Sequence, residues 1–424
     1  MKKFVKVSIL SVILIAMILS VSPGQQQVTL RMIWWGSQDR HNRTLKVIDL
    51  FQKKYPNIKI VPEYTGWGEY WTKLTTMVAG GNPPDIIQHD HAYLRGWVDK
   101  GLLLPLDDLV ASGAINLKDV SKSVIDSGKL YGKLYAINLG NNSQAFAIDV
   151  DAFKKAKVPL PPTFWTWDDF KRITTTLHKR LGIYGAAENL TDHNVFRVWT
   201  IENGGYLFSD DGKSLGYEDD KVYSNFFKMW LELQDAGVIP SREIEVARGS
   251  VSPEQRFICL GKSAMQFTWS NQLEAMSTAL PNKTLKLYML PTLNKKVGNF
   301  LKPSMFLTIS AKTKYPKEAA AFVDFFINDI EAGKILMAER GVPISKKVQR
   351  ALAPLLTPVE KEVFNFVSLV EKYGAPTPAP DPERWQELYN NVYTPLSDQI
   401  MYKKISPEEG AKKFREQAIP ILRK

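Results

Sequence analysis

The chain has 424 residues, with 55 lysines and arginines against 44 aspartates and glutamates, and a formal net charge of +11. That length suits two or three domains, and the single cysteine, Cys259, excludes an intramolecular disulfide. The basic residues are scattered along the chain and form no run, so the charge argues against nucleic acid as a partner.

The N-terminal segment has the pattern of an export signal. Lys2, Lys3 and Lys6 precede an apolar stretch at residues 7–21, and small residues follow at 22–24. The apolar stretch is short for a membrane-spanning helix, which needs about 20 residues. We therefore expect residues 1–24 to be removed as a signal peptide, with an uncleaved N-terminal anchor as the alternative. No cysteine stands near the end of the segment to accept a lipid, which argues against lipoprotein anchoring.

Strands and helices alternate after this segment. Strand composition at residues 28–33, 58–61 and 85–88 alternates with apolar residues at helical spacing at 44–55 and 69–79. This β-α-β-α-β order predicts a parallel sheet covered by helices.

The pattern restarts at residues 144–148, where another strand is predicted. Asp211-Gly212 is a hairpin signal, and Thr166 or Asp168 is a candidate cap for a helix over residues 170–181. Further strands are predicted at residues 264–268, 285–290 and 305–309. Further helices are predicted at residues 150–157, 222–236, 252–260 and 316–338, and beyond residue 358 around the proline-rich loop 376–380.

Aromatic and polar side chains follow each of the first three predicted strands. The carboxyl ends of strands in open α/β sheets are where ligands bind, so these residues predict a binding site along one edge. Side chains alternate along a strand, so Trp34 and Trp35 should point opposite ways, and which of them faces a ligand stays open. The residues are Trp34, Trp35, Arg40 and His41 after the first strand, Glu63 and Trp67 after the second, and Asp90 after the third.

Motifs for catalysis are weak in this sequence. There is no Gly-x-Ser-x-Gly, and Gly261-Lys262-Ser263 lacks the upstream glycine of a phosphate-binding loop because Arg256 holds that position. Adjacent aspartates diverge instead of facing each other across a substrate, so they are predicted to be caps and turns. The pair at residues 89 and 91, His-x-His, raises zinc as an alternative, with no third ligand indicated. Nucleotide chemistry is therefore unsupported, and we predict no cofactor and no metal site.

Tryptophan, with 11 copies, is the informative residue type. Its flat ring packs against the C–H face of a sugar, while amide, carboxylate and guanidinium groups bind the hydroxyls. This pairing predicts a carbohydrate ligand, whereas the alternative for each ring is packing in the core. It recurs as Trp34 and Trp35 with Gln38 and Arg40, Trp67 with Glu63, Trp199 with Asn203, and Trp269 with Asn271.

Seven motifs carry a resemblance to a known family. They make the chain similar to bacterial extracellular solute-binding proteins of the carbohydrate ABC transporter type, in the expected order over essentially the whole chain after the signal. The resemblance is specific for the family and not for the ligand. The motifs are LRMIWWG (30–36), FQKKYPNIKI (51–60), LTTMVAGGNPPDI (74–86), DDF (168–170), GKSAM (261–265), ISAKTKYPKEAA (309–320) and GVP (341–343).

The resemblance implies a two-lobed α/β fold of the periplasmic-binding-protein type II class. Each lobe is then a mixed sheet flanked by helices, with the ligand cleft between the lobes. We expect lobe I to span residues 25–137 plus about 286–342, and lobe II residues 138–285 plus about 343–424. Such receptors act as monomers in the periplasm or at the cell surface. They close around a sugar without chemistry and deliver it to the permease subunits of an ABC transporter; hinge candidates are residues 137–140 and 291–302.

The resemblance also places site residues. The strand ends at residues 34–36, 64–67 and 88–90 would line one wall, and Trp199, Asn203, Tyr206 and Trp269 the other, with Lys302 and Asn142 near the lobe crossing and Arg340 beside the cleft. Four cations, at Arg40, His41, Lys302 and Arg340, favour a uronate-containing oligosaccharide such as a pectin fragment over a neutral gluco- or mannoside. The alternatives are that these cations pair within the protein, that the protein is an exported glycan hydrolase or lyase, or that the same fold binds a metal or another small solute.

Overall fold

The computed structural model describes residues 27–249, 251–293 and 296–424, so the signal peptide expected at residues 1–24 lies outside the described residues. The strands are β1 Val28–Trp35, β2 Ile58–Thr65, β3 Ile86–His89, β4 Lys129–Leu130, β5 Lys133–Leu134, β6 Ala136–Asn138, β7 Asn141–Asn142, β8 Gln144–Asp149, β9 Met265–Trp269, β10 Leu285–Tyr288, β11 Lys302–Pro303 and β12 Phe306–Ile309.

The helices alternate with these strands in the first half of the chain and dominate the second half. They are α1 Gln38–Lys54, α2 Trp67–Ala79, α3 His91–Asp99, α4 Asp107–Ala111, α5 Lys122–Asp126, α6 Val150–Lys155, α7 Trp167–Leu181, α8 His193–Glu202, α9 Lys221–Asp235, α10 Arg242–Arg248, α11 Leu273–Ala279, α12 Pro316–Asn328, α13 Ile330–Leu336, α14 Lys346–Leu352, α15 Pro358–Tyr373, α16 Trp385–Leu388, α17 Thr394–Met401 and α18 Pro407–Leu422. No helix in the described ranges is long and apolar enough to span a membrane.

The first sheet has the order β2-β1-β3-β12-β6. Strand β1 runs parallel to β2 and β3, which confirms the parallel sheet predicted from the first three strands. Strand β12 comes from late in the chain and pairs antiparallel with β3 and β6. Leu30, Met32, Ile33 and Trp34 of β1 are fully buried, as expected for a strand covered by helices on both faces.

The second sheet has the order β10-β8-β9, and its pairs are antiparallel. Helices α7, α8 and α9 pack their aromatic side chains into a separate apolar core beside it, which includes Phe170, Phe196, Phe226 and Trp230. We call the first sheet with α1–α5 and α12–α14 lobe I, and the second sheet with α6–α11 and α15–α18 lobe II.

The chain segments that connect the lobes lie side by side. Strand β7 pairs antiparallel with β11, and Asn141 also forms a bridge with Val342. A Cβ atom added to Gly140 would lie 2.2 Å from the carbonyl oxygen of Arg340, so only glycine fits at this approach. The connection is therefore thin and tightly packed.

Two contacts lie close to the expected lobe boundaries, which stay predictions. Strand β10 pairs with β8 up to Tyr288, near the boundary expected at about residue 286. Helix α14 packs on α13, where Val348 lies beside Gly333, just after the boundary expected at about residue 343.

Local signals explain where the predicted elements and the structure agree or differ. The capping box at Thr166 and the hairpin turn at Gly212, with φ of +72°, confirm those two predictions. The predicted helix at residues 252–260 is wrong, because only a short 3₁₀ turn, Pro253–Gln255, forms there. The single helix predicted at 316–338 is also wrong: the carboxylate of Asp329 accepts hydrogen bonds from Glu331 and Ala332 and starts α13 as a new helix.

Candidate ligand-binding cleft

A cavity of about 280 Å³ lies between the lobes, and we call it the tryptophan cavity. Lobe I contributes the first turn of α3 and lobe II the first turn of α8, while strand β11 contributes a lysine from the connection. Its lining includes His91 and Ala92, His193, Asn194 and Arg197, the aromatic residues Trp269, Trp385 and Tyr389, and Lys302 and Asp381.

The first turn of α8 is fixed by its cap. The carboxylate of Asp192 accepts a hydrogen bond from the backbone N–H of Asn194 at 2.7 Å. His193 and Arg197 are four residues apart, so they share one face of the helix. The cap therefore sets which polar side chains of α8 line the cavity.

A buried ion pair joins two distant segments at the cavity wall. Arg197 Nη2 lies 2.6 Å from Asp381 Oδ1, and the Arg197 guanidinium lies 5.2 Å from the centroid of the Trp385 ring. Burial works to raise the pKa of Asp381, but the charge of Arg197 and its hydrogen bond to the carboxylate work against burial, and that pKa lies below its usual range. The carboxylate thus stays ionised and can accept hydrogen bonds from hydroxyl groups.

Three buried polar atoms of this cavity lack a hydrogen-bond partner within the described residues. They are Nε2 of His91, Nδ1 of His193 and Nε of Arg197. Burial lowers the pKa of His91 to about 4, so its ring is neutral near pH 7. Since buried polar groups are normally bonded, these atoms are suited to meet a polar ligand.

Trp269 and Lys302 form one unit on the lobe II side of the connection. The Lys302 Nζ atom lies 5.3 Å from the centroid of the Trp269 ring. Pairing of β7 with β11 holds Lys302 opposite Asn142, and none of the ion pairs in the described ranges uses this lysine. The ring offers a flat face and the ammonium an unneutralised positive charge.

Lobe I presents exposed aromatic rings at the carboxyl ends of β2 and β3. Tyr64, Trp67 and Tyr93 are 40%, 46% and 42% exposed. They rest on other rings: buried Trp35 lies 5.0 Å from Trp67, and half-buried Trp71 is stacked 3.9 Å from Tyr93, measured between ring centroids. The sequence analysis assigned Trp35 and Trp67 to the site. Tyr64 and Tyr93 lie near the ends of β2 and β3 as well, so their positions in the sequence gave the same signal.

Trp34 and His41 are core residues, which corrects their assignment to the ligand. Trp34 is fully buried, and its Nε1 donates a hydrogen bond to Nδ1 of His41 at 3.1 Å. The His41 ring stacks on Tyr64 at 4.4 Å between centroids, and burial lowers its pKa. The alternation along β1 thus leaves Trp35 as the tryptophan that supports the exposed rings.

Three charged residues of the predicted site form ion pairs within the protein, which corrects their assignment. Arg40 Nε lies 2.6 Å from Glu339, and Glu63 pairs with an arginine at 2.7 Å. Arg340 is buried, donates to Gln88 at 3.1 Å, and pairs with Glu339 at 3.0 Å. Burial lowers the pKa of Arg340 to about 9. These groups hold lobe I and the connection together and have little left to offer a carboxylate.

Trp199 and Asn203 lie away from the tryptophan cavity, toward the opposite end of α8. Trp199 is buried and donates to the carbonyl of Val222 at 2.8 Å, so it belongs to the lobe II core. Asn203 is exposed and donates to the carbonyl of Trp199 at 2.8 Å. Tyr206 lies in a narrow space behind Arg197, beside Phe208.

Asn142 and Asn271 line a different space between the lobes, of about 320 Å³, which we call the acidic cavity. Its other lining residues include the carboxylates Asp39, Glu274, Glu339 and Glu360. The structure therefore separates these two asparagines from Trp269 and Lys302.

Gln38 and Asp90 sit at helix N-termini of lobe I. Gln38 is exposed in the first turn of α1 and donates to Asn42 at 2.9 Å. The Asp90 carboxylate caps α3 by accepting from Ala92 at 2.8 Å. Burial raises the pKa of Asp90, and the positive charge of Lys302 works to lower it. The Asp90 carboxylate therefore interacts with the charge of a residue that lines the cavity.

Several cavity residues had no place in the sequence-based site. Arg197 and Asp381 are 184 positions apart, so no local motif joins them. Two features of the sequence could have indicated these residues: an arginine within the largely apolar helix α8, and the proline-rich loop that precedes Asp381. The zinc alternative has no cluster to support it, since the described ranges contain no group of three or more histidine, cysteine or carboxylate side chains placed to hold a metal ion.

The sequence matches the family model for bacterial extracellular solute-binding proteins over residues 39–332. The fold is similar to an extracellular solute-binding protein family 1 structure from Alicyclobacillus acidocaldarius, with 31% identity, a TM-score of 0.82, and coverage of 94% of this chain and 99% of that one. It is also similar to a periplasmic oligogalacturonide binding protein from Yersinia enterocolitica, with 25% identity, a TM-score of 0.81, and coverage of 93% and 99%.

Among curated sequences, an uncharacterized lipoprotein of Streptomyces antibioticus is 21% identical over 406 residues, which cover 92% of this chain and 87% of that protein. Together with the structural similarities, these matches confirm the two-lobed periplasmic-binding-protein fold predicted from the sequence.

Proposed function

The chain belongs to the bacterial extracellular solute-binding protein family, and on that premise we propose that it binds an acidic oligosaccharide between its lobes and delivers it to an ABC importer. The observation that carries this proposal is the meeting of Trp269, Lys302 and Arg197 in one cavity that α3 of lobe I also lines.

A sugar suits the chemistry of this cavity. Trp269 and Trp385 provide flat apolar faces, and sugar rings expose matching C–H faces. Asn194, His91 and the ionised Asp381 provide hydrogen-bond donors and acceptors for hydroxyl groups. Apolar walls with a few directed polar groups are the usual construction of small-molecule sites.

The acidic preference rests on Lys302. Arg40 and Arg340 share an ion pair with Glu339, and His41 is buried. Lys302 lines the cavity, and none of the ion pairs in the described ranges uses it. The similar protein from Yersinia enterocolitica binds oligogalacturonide, according to its description.

Ligand binding would favour closure because the cavity takes groups from both lobes. A ligand shifts a conformational equilibrium only through contacts that differ between the two states. His91 belongs to lobe I and Arg197 to lobe II, so a sugar bound to both would stabilise the closed form. We propose residues 137–140 and 291–302 as the hinge, a monomeric receptor without enzymatic activity, and membrane permease subunits as partners in the periplasm or at the cell surface.

The test is calorimetry and thermal melting of the purified protein with digalacturonic acid and with neutral disaccharides such as maltose and mannobiose. We expect only the acidic sugar to bind, with a stabilisation of about 2.7 kcal/mol at a hundredfold excess over Kd. Binding of neutral sugars alone would overturn the acidic preference. Hydrolysis or cleavage of the sugar during the titration would support the exported-enzyme alternative, and no binding of any sugar would overturn the carbohydrate proposal.

A further inference from the structure

We propose that the ligand site continues past Tyr389 into a second cavity of lobe II, where Arg256 binds the next acidic unit of a longer oligosaccharide. The inference rests on the proposed function, because it extends the same bound chain. It assigns to this receptor a preference for ligands longer than a disaccharide.

The second cavity has a volume of about 330 Å³, and we call it the arginine cavity. Tyr389 lies in its wall and also in the wall of the tryptophan cavity. The tryptophan cavity alone, at about 280 Å³, is at the lower limit of typical ligand sites, which span about 300–1,000 Å³. The arginine cavity therefore roughly doubles the space available to one ligand.

The backbone at the edge of the arginine cavity is strained. Glu188 and Asn189 are consecutive non-glycine residues with φ of +57° and +58°. They directly follow Ala187, which forms a parallel bridge with Gln266 of β9, so they lie beyond the carboxyl end of that strand pair. Such conformations cost on the order of 1–3 kcal/mol each and persist mainly at functional sites, which points to a role for this edge in binding.

One positive charge in this cavity remains unneutralised. Arg248 pairs with Glu188 at 3.0 Å, and Arg242 pairs with Asp398 at 2.7 Å. Arg256 is only 8% exposed, donates to the carbonyl of Phe267 at 3.0 Å, and has no carboxylate within ion-pair distance in the part of the chain that the structure describes. A buried charge without a counter-ion is costly, so an acidic ligand group would relieve that cost.

The arrangement of cations fits a polymer that carries a charge on each unit. Lys302 provides one cation in the tryptophan cavity and Arg256 another in the arginine cavity. The Tyr389 ring lies between the two spaces and stands 4.6 Å from the His193 ring, measured between centroids. An oligouronate would place one carboxylate at each cation and a sugar ring beside the tyrosine.

The test compares di-, tri- and tetragalacturonic acid by calorimetry at low salt. We expect wild-type affinity to rise at least about tenfold from the dimer to the longer chains. Arg256→Gln should bind the dimer like the wild type and lose that rise. Lys262→Gln, which removes the same charge from an exposed position near the end of the same segment, should behave like the wild type.

Two results would overturn the inference: equal affinity of wild type for all chain lengths, or an undiminished rise in Arg256→Gln. If that variant fails to fold, the wild type supplies a second readout. Its length-dependent gain should shrink as sodium chloride is raised from about 0.05 to about 0.5 M, and a gain insensitive to salt would contradict a charged second contact.

One further ligand separates the remaining explanations. A tetrasaccharide that has no carboxylates and carries a sulfate ester tests for a general anion site, and tighter binding of it than of the uronate would overturn the uronate assignment. Failure of the dimer itself to bind would overturn the proposed function, and the inference with it. A dimer that binds without any gain on lengthening would overturn the inference alone.

Discussion

The two lobes build their walls of the cleft in opposite ways. In lobe I the aromatic rings pack against one another, as Trp67 does edge to face with Trp35, and the charged residues at the strand ends form ion pairs, as Arg40 does with Glu339. In lobe II and its connecting strand, Lys302 has no counter-ion in the described ranges, and Arg197 retains a buried nitrogen without a partner. A residue at the end of a strand is a candidate for ligand binding. Its ion pairs and hydrogen bonds within the protein decide whether its side chain is free to bind a ligand.

This difference assigns different tasks to the lobes. The lobe I rings form a firm surface that holds its shape without ligand, because each exposed ring packs on a buried or half-buried one. The lobe II side and the connecting strand hold Arg197 and Lys302, the cations of the cavity. Changes in lobe II should therefore alter affinity and selectivity more than changes in the lobe I rings.

The largest expected effect comes from Arg197→Met, which would dismantle the lobe II wall. Asp381 would remain buried without its partner, so we expect the free energy of unfolding to fall by about 3–5 kcal/mol and ligand binding to disappear. Urea denaturation measures the first effect and calorimetry the second. Adding Asp381→Asn to the same protein should restore most of the stability and none of the binding. A single variant as stable as the wild type would show that the pair does not stabilise the wall.

The fold followed from local signals that the sequence displays. The alternation of β1, α1, β2, α2 and β3 predicted the parallel sheet, and the capping box at Thr166 predicted the start of α7. The helix predicted at residues 252–260 does not form because Arg256 adopts an extended backbone conformation after the 3₁₀ turn, and its side chain donates to the carbonyl of Phe267, a contact that local sequence does not record. The site was less accessible, since ion pairs such as Arg197 with Asp381 and Arg40 with Glu339 join residues 184 and 299 positions apart. Such long-range ion pairs determine which charged side chains are available to a ligand. No motif of neighbouring residues in the sequence predicts them.

A second prediction contrasts a tryptophan of the cleft with one of the core. Trp269→Ala should weaken ligand binding by at least about 1 kcal/mol, because the sugar loses its flat surface and the Lys302 ammonium loses its aromatic neighbour. The melting temperature without ligand should change little, since the ring is only partly buried.

Trp199→Phe is the matched control for that comparison. It should lower the free energy of unfolding by about 1–3 kcal/mol, because the ring is buried and its N–H bonds to Val222, and leave ligand affinity unchanged. An unchanged affinity in Trp269→Ala would remove that ring from the site.

A third prediction concerns the contact between the lobes. Arg95 of α3 donates to the carbonyl of Asp210 at 2.7 Å and to that of Pro380 at 3.2 Å, both on the lobe II side. Arg95→Met should disfavour closure and weaken ligand binding about tenfold, with a larger radius of gyration of the free protein in X-ray scattering.

Lys100→Met provides the comparison for Arg95. Lys100 also reaches across, to Glu383 at 3.1 Å, but both side chains are exposed, at 61% and 67%, so its contribution should be about 0–1 kcal/mol. Equal effects of the two variants would show that the burial of the Arg95 contact has no influence on closure.

The last prediction compares how the stability of each lobe depends on pH. In lobe I, burial lowers the pKa of His89 and of His91 to about 4. Because the unfolded chain binds these protons more readily, the stability that the neutral histidines contribute is lost as the pH falls from about 6.5 toward 4.

In lobe II, Glu202 makes stability depend on pH in the opposite direction. Burial raises its pKa well above the usual range, although Trp167 Nε1 donates to it at 2.7 Å. Its stability contribution is therefore present at low pH and declines as the pH rises above its unfolded value.

Glu202→Gln should remove the lobe II part of this dependence, because a neutral amide keeps the acceptor for Trp167 without a titrating proton. The stability of the variant relative to the wild type should then increase between pH 5 and pH 9, with a slope of at most about 1.4 kcal/mol per pH unit. Denaturant unfolding at several pH values measures this slope, and the acid-side loss assigned to lobe I should remain. The exposed Glu218→Gln should leave the profile parallel to the wild type. A parallel profile for Glu202→Gln as well would show that Glu202 does not carry a buried proton, and the contrast between the two lobes would then be confined to the walls of the cleft.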